Sequence, residues 1–292
     1  MVLPTLGAGA EPESLIQLAV AAEEHGWQAV LLWDAVSLAA EDPDLDHGVD
    51  AWLVLAAIAL ATRTIRLGTY ACPLSRRRPW KVAREAVTLD RMSGGRLILG
   101  VGPGARHDAA FTRVNEPAGL RERTERMDEA LAIITGLWSG QPVTYHGRHF
   151  DVDGVRLRPG PLQRPRIPIW VIGAWPRARS MRRAVRWDGV HPIVRRRTPP
   201  TQGGQVITPR QVRALDRWLR SVRGGVRDRY DIVVDGATPG GDPARARRVL
   251  REYEDAGAGW WFEVPFWSAD GTDRHDRMRR RIEQGPPPHP LA

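Results

Sequence analysis

The stretch from Thr62 to Gly104, TRTIRLGTYACPLSRRRPWKVAREAVTLDRMSGGRLILGVGPG, limits the fold more than any other part of the chain. IRLGTY is a short β-biased segment. A Pro- and Arg-rich loop follows, and Pro79 opens a helix at a position where its missing N–H costs nothing. Val82, Ala86 and Leu89 fall three or four residues apart and give that helix one apolar face. Ser93, Gly94 and Gly95 end it, and LILGVG starts the next strand. Strand, helix, strand at this spacing is a βαβ unit and points to parallel sheet.

The rest of the chain repeats the pattern. Val2 to Pro4 reads as a very short first strand, Glu11 to His25 as a helix stopped by Gly26, and AVLLW, ending at Trp33, as a strand apolar on both faces. Ala35 to Gly48 is an acidic loop, and Asp50 to Thr62 an almost wholly apolar helix. Met127, Leu131, Ile134 and Trp138 mark another helix. VTYHG and RHFDV predict a small hairpin turning near Gly147, an excursion from the main pattern. IPIWVIG, GVHPIV, DIVVDG and WWFEV are the remaining strands. Between them lie helices over Arg177 to Trp187, after the Thr208–Pro209 cap with Val212, Leu215, Leu219 and Val222 inward, and after Asp242–Pro243. A charged helix from Asp273 to Gln284 closes the series. Eight strands, each followed by a helical connection, favour a (β/α)8 TIM barrel over a doubly wound sheet. Residues 1–284 are read as one barrel domain, 285–292 as a disordered Pro-rich tail, and Arg195 to Gln205 as a mobile connection.

Composition serves mainly to exclude. No apolar run reaches about 18 residues and no charged-then-apolar leader is present, so neither a membrane span nor secretion is expected. Cys72 is the only cysteine; it cannot form an internal disulfide, and a cytoplasmic location fits best. The net charge of +9 comes from arginines spread through amphipathic helices without an accompanying motif, which argues against a nucleic-acid partner.

A barrel places function in the loops at the C-terminal ends of its strands. Those loops hold Asp34, Ala71, Arg106, His107, Asp108, Trp175 and His191. Each also has a structural reading. Asp34 could cap a loop, His107 and His191 could be solvent-facing or structural, and Gly94–Gly95 is most simply a helix stop. His146 and His149 flank the hairpin turn, but no carboxylate or thiol cluster supports a metal there, and no metal site is expected. No convincing carboxylate pair supports glycoside hydrolysis.

The Thr62–Gly104 stretch resembles the central region of the luciferase-like, flavin-dependent monooxygenase and oxidoreductase family. There too an RLGT-type strand, a PL turn, a Pro-led helix ending LDRMSGGR and an LGVG strand follow one another. AEEHGW before a strand ending Trp33–Asp34, LWSGQPVTYHGRHF, RPRIPIWVIGAWP, RWDGVHPI and AGAGWWFEV extend the likeness over nearly the whole chain. The resemblance implies a (β/α)8 barrel, often a homodimer, binding FMN or a 5-deazaflavin coenzyme at its C-terminal end. It implies a small-molecule substrate, acted on by hydride transfer at flavin N5 or by oxygen insertion through a peroxyflavin, and, for monooxygenases, a separate flavin reductase as partner.

Carried over by position, the resemblance places Thr69 and Tyr70 beneath the ring, with a non-prolyl cis peptide at Tyr70–Ala71. Gly102 and Gly104 would let the fourth loop approach the cofactor. Gly173, Ala174 and Trp175 would form a turn offering N–H groups to its phosphate, supported by the helix near Pro176 and by Ser180. Asp34, His107 and His191 are the candidates for proton transfer. The chain departs from the family where Ala35 follows Asp34 in place of His, and where Pro103 replaces a phosphate-binding Arg, leaving Arg106 as its substitute. These departures leave the reaction type open. They also keep a competing reading alive: a non-enzymatic barrel with a binding or structural role, favoured if side chains block the turn at Gly173 to Trp175.

Overall fold

The computed structural model describes residues 1–39, 42–105, 107–194, 207–223, 230–265 and 274–287. Its frame is a parallel sheet of eight strands: β1 (Val2–Leu3), β2 (Ala29–Leu32), β3 (Arg66–Pro73), β4 (Leu97–Gly102), β7 (Ile169–Trp175), β8 (Gly189–Val194), β9 (Asp231–Gly236) and β10 (Trp260–Glu263), neighbours in that order. Together they form a nearly closed barrel, as the repeated strand–helix pattern predicts. β5 (Val143–His146) and β6 (Asp151–Val155) pair antiparallel and form the expected hairpin excursion.

Helices α1 (Pro12–Glu24), α2 (Ala51–Ala61), α3 (Pro79–Met92), α5 (Leu120–Trp138), α6 (Ala178–Ala184), α7 (Pro209–Val222), α8 (Pro243–Glu254) and α9 (Arg274–Glu283) connect the strands, with the single turn α4 (Ala109–Thr112) before α5. Periodicity foretells their inner faces: Val82, Ala86 and Leu89 of α3, and Met127, Leu131, Ile134 and Trp138 of α5, are all buried. Thr208 and Gln211 close a capping box on α7, and Gly94 and Gly95 end α3 with positive φ. One expectation fails here. Val222 is the last residue of α7 and is 45 % exposed, one turn beyond Leu219, where the buried stripe of the helix ends. Among the described residues, no helix is long and apolar enough to cross a membrane.

Polar side chains lock the N-terminal end of the barrel. Arg96, in the turn before β4, donates to the carbonyls of Ala59, Thr62, Ile65 and Ser93, satisfying orphan acceptors at the end of α2. Asp90, fully buried on α3, accepts from the Leu162 and Gln163 N–H groups and from the Gln163 amide, and so pins the return of the hairpin excursion. The LDRMSGGR signature is thus a scaffold device.

Aromatic rings stack through the lumen in layers. Trp260 and Trp170 lie 5.1 Å apart near the N-terminal end, Phe262 stands 5.8 Å from Trp170, and Tyr70 and His191 lie 5.8 and 6.0 Å beyond Phe262. Gly189 makes room for this column: a Cβ there would come within 2.5 Å of Trp170 Cδ1. Asp231, at the foot of β9, accepts from Trp170 Nε1 at 3.0 Å and sits beside Arg66, whose guanidinium lies over Trp260.

Candidate active site

The last polar layer of the lumen lies toward the C-terminal mouth. Tyr70 on β3, His191 on β8 and Asp235 on β9 converge there. The Tyr70 hydroxyl donates to Asp235 Oδ2 at 3.0 Å and lies 3.5 Å from His191 Nε2, while His191 Nε2 stands 3.3 Å from Asp235 Oδ1. The strands put all three on the lumen face. Asp235 is four residues beyond Asp231 on β9, and a strand returns to the same face every second residue.

Burial pushes the Asp235 carboxyl up, but the charge and hydrogen bond of His191 and the Tyr70 hydroxyl outweigh it, and the net is below the ordinary carboxylate value. Burial, then the Asp235 charge, lifts Tyr70 well above the usual phenol. Asp235 is therefore an ionised acceptor at neutral pH and Tyr70 a neutral donor. An ionised acceptor at Nε2 keeps the proton on that nitrogen, so when the charged His191 ring loses a proton it is the one on Nδ1, and the lone pair appears there. Nδ1 is buried and has no hydrogen-bond partner among the described residues.

Asp34, at the end of β2, belongs to a different arrangement. Its Oδ1 accepts from Arg76 at 2.9 Å and Arg77 at 2.8 Å, and its Oδ2 from Trp52 Nε1 at 2.9 Å. Burial raises its pKa, but Arg77 and then Arg76 and Trp52 bring it below the ordinary value. Such a carboxylate is a poor proton acceptor and a firm anchor for the loop after β3. His107 is exposed on the loop after β4 and does not join Tyr70 and His191. Its neighbour Asp108 is buried and holds the loop after β2 by accepting from the Val36 and Ser37 N–H groups. Arg106 lies outside the described residues.

The residues expected around a cofactor are placed as follows. Thr69 is buried, its hydroxyl donating to the Gly100 carbonyl at 2.7 Å. The Tyr70–Ala71 peptide is not cis; among the described residues the cis peptides are Arg158–Pro159, Arg164–Pro165 and Trp175–Pro176. In its place the β3–β4 ladder shifts register between Thr69 and Cys72, so a bulge carries the irregularity. Gly102 is buried beside Ile172, where a Cβ would be 3.3 Å away. Gly104 has φ +86°, and a Cβ would meet the Phe111 ring at 2.3 Å, so packing against α4 already demands glycine there.

Gly173, Ala174 and Trp175 are strand rather than turn, paired with Pro192, Ile193 and Val194 of β8 to their end. A Cβ on Gly173 would press on Met181 and Val190 at 3.0 Å. The helix that follows begins at Ala178, with its N-cap at Arg177 next to Pro176 as expected, and has seven residues. The Ala174 N–H is taken by the Ser180 hydroxyl at 2.9 Å, which leaves the hydroxyl proton to offer an incoming oxygen. Side chains thus fill part of this place. Among the described residues no group of three or more His, Cys, Asp or Glu is placed to hold a metal ion; His146 pairs with Asp151, and His149 lies against Glu125.

The family model for luciferase-like monooxygenases matches residues 2–200. Among curated proteins, the F420-dependent hydroxymycolic acid dehydrogenase of Mycobacterium tuberculosis is 32% identical over 171 residues, 58% of this chain and 46% of that protein. The F420-dependent glucose-6-phosphate dehydrogenase of Microbacterium testaceum is 29% identical over 225 residues, 77% of this chain and 63% of that protein. The chain therefore spans less than two thirds of the length of these relatives. Among solved structures, the coenzyme F420 dependent tetrahydromethanopterin reductase from Methanopyrus kandleri superposes with a TM-score of 0.73 at 16% identity, covering 98% of this chain and 97% of that one. Monooxygenase RslO1 from Streptomyces bottropensis gives 0.69 at 20% identity, covering 97% and 96%. At these identities the structural likeness is one of fold.

Proposed function

The chain belongs to the luciferase-like monooxygenase family, and from that premise we propose that it is a cytoplasmic oxidoreductase using a flavin or 5-deazaflavin coenzyme at the C-terminal mouth of the barrel. The observation that carries this reading is the buried Tyr70–His191–Asp235 group, with its unpartnered Nδ1, on the floor of that mouth. A scaffold barrel has no need to keep an orphaned imidazole nitrogen out of water. The residues present fit such a coenzyme. Tyr70 and the bulge at Ala71 would lie under its ring, and the Ser180 hydroxyl would donate to a phosphate oxygen.

Within the family we favour hydride transfer with the deazaflavin. Relatives that carry it in their names are dehydrogenases, and an arginine-rich rim suits a coenzyme with an acidic tail. The bound coenzyme would supply hydride acceptance or donation. The chain's part in oxidising an alcohol would be to take the hydroxyl proton, and His191 Nδ1 is the basic atom for it, held in the right tautomer by Asp235. Nδ1 is out of contact with solvent, so proton exchange requires a ring shift or a bridging water. Asp34 positions the Arg76–Arg77 loop and leaves the chemistry to the lumen.

We further propose a homodimer. α2 presents Leu53 and Leu60, 75 % and 72 % exposed, on a helix that is apolar all round. Sedimentation of the chain and of L53E tests it.

Titration with FMN and with the deazaflavin coenzyme, each oxidised and reduced, followed by absorbance and fluorescence, tests the central reading. Tight binding of the deazaflavin alone supports it, tight binding of reduced FMN alone turns it toward the monooxygenase and a separate reductase, and binding of neither leaves the non-enzymatic barrel.

A further inference from the structure

A cavity of about 340 Å³ opens on the rim of the barrel, outside the lumen layer that holds His191. Its wall joins the loop after β3, the segment before α5, and Phe150 from the tip of the hairpin. Arg76, Arg77, Arg78 and Arg126 line it, with Glu116 the one carboxylate among the lining residues.

Three of these guanidiniums are fixed in advance. Arg76 and Arg77 share the single carboxylate of Asp34, and Arg77 also lies over Trp52. Arg126 bonds Glu122 at 3.1 Å and lies over Phe150. The carboxylates that hold them, Asp34 and Glu122, with Glu85 beside Arg77 and Lys81, are not part of the wall, so they sit behind the arginines and leave the cavity side cationic. Arg78 is exposed and makes no ion pair among the described residues. Held guanidiniums gathered on one cavity wall match the oxygens of phosphate and carboxylate groups.

We infer that this cavity is an oxyanion subsite, taking a phosphate or carboxylate group of a small-molecule ligand bound at the mouth. The inference stands whether or not the barrel uses a redox coenzyme, because an inorganic anion probes it directly.

The test is calorimetric titration of the whole chain with inorganic pyrophosphate at low ionic strength, for wild type, R78A/R126A and E116Q, with a thermal melt of each as a folding control. The expected result is saturable binding with Kd below roughly 1 mM, weakened at least about tenfold in R78A/R126A and tightened in E116Q. The absence of saturable binding to the folded wild type, or equal binding by the double variant, overturns the inference. Two further arms identify the source of the anion. If a coenzyme tail is the occupant, R78A/R126A weakens the deazaflavin coenzyme and spares its tail-less chromophore. If a substrate group is the occupant, pyrophosphate binds alongside the coenzyme without displacing it. A double variant that binds pyrophosphate, coenzyme and a sugar phosphate all as wild type does refutes both.

Discussion

Asp231 and Asp235 stand on the same strand, on the same face, about 13 Å apart, and their carboxyls are driven in opposite directions. At the foot of β9, burial dominates Asp231; indole N–H bonds from Trp170 and Trp260 and the more distant Arg66 do not offset it, and Asp188 adds repulsion, so its pKa is raised. At the top of the strand, burial is again the largest influence on Asp235, but His191 and the Tyr70 hydroxyl overcome it and the pKa falls. The difference lies in the partners, since one strand carries both. Neutral donors suffice to keep an acid in the packed end of the barrel, whereas a titratable partner and a hydroxyl make a poised charge at the mouth.

The largest effect should come from Asp235→Asn. Its amide can donate to His191 Nε2, which moves the ring proton to Nδ1 and removes the lone pair that accepts from substrate. Turnover should fall by roughly 10²–10⁴-fold with little change in coenzyme affinity, measured by steady-state kinetics beside a fluorescence titration. Unchanged turnover would remove His191 from the chemistry and make the two aspartates equivalent lumen fillers.

How much of this was legible follows the same division. Hydrophobic periodicity located the strands and nearly every helical face, because burial on a barrel repeats with the local period of the backbone. The hairpin and the Thr208 cap were legible for the same local reasons. Asp235 was not singled out, since DIVVDG reads as an apolar strand ending in a turn-like Asp–Gly; the available signal was the pair Asp231 and Asp235, four residues apart in an otherwise apolar strand. Asp34 reads as a proton-transfer candidate or a loop cap, because the arginines that neutralise it lie more than forty positions away and only the closed barrel brings them together. Gly104 reads as letting the fourth loop approach a cofactor and Gly173 as part of a phosphate-binding turn, but Phe111 and Met181 pack against them, and no local pattern announces which neighbour fills the space beside a glycine.

A second carboxylate at the N-terminal end sharpens the comparison. Glu23 on α1 accepts from the N–H groups of Arg63, Thr64 and Ile65 and from the Thr64 hydroxyl. Burial raises it, but these donors bring it from 4.5 to about 2, with no cation bonded to it among the described residues. The unfolded chain therefore binds the proton first as pH falls, and the stability that Glu23 contributes is complete above pH 4.5 and lost as pH falls toward 2. Glu23→Gln should cost about 1–3 kcal/mol at neutral pH and flatten the acid limb of the melting curve over that window. Without that flattening, donor count would not be what separates Glu23 from Asp231.

Tyr70→Phe should have a smaller effect. It takes one donor from an ionised Asp235 and should lower stability by about 1–2 kcal/mol. Asp235 then ionises less readily, so the acid limb of the activity profile should move to higher pH. An unmoved limb would mean that His191 alone sets the charge at the mouth.

The smallest effect, and the one of opposite sign, belongs to Asp231→Asn. A carboxyl whose folded pKa lies above its unfolded value favours the folded state only while protonated. Its contribution is present below the unfolded pKa and is lost as pH rises through the raised folded value. At neutral pH the folded barrel therefore holds an ionised Asp231 at a cost, although its two indole hydrogen bonds reduce it. Asparagine keeps an acceptor oxygen for Trp170 Nε1 and carries no charge to desolvate. The variant should match wild type within about 1 kcal/mol at pH 7, or exceed it, and should lose the decline in stability that wild type shows above the carboxylate range. Thermal melts across pH 4 to 8, roughly the span between carboxylate and imidazole titration, decide it. A loss as large as that expected of Glu23→Gln would mean that the Asp231 charge is wanted at the foot of the barrel, with Arg66 rather than the indoles as its true partner.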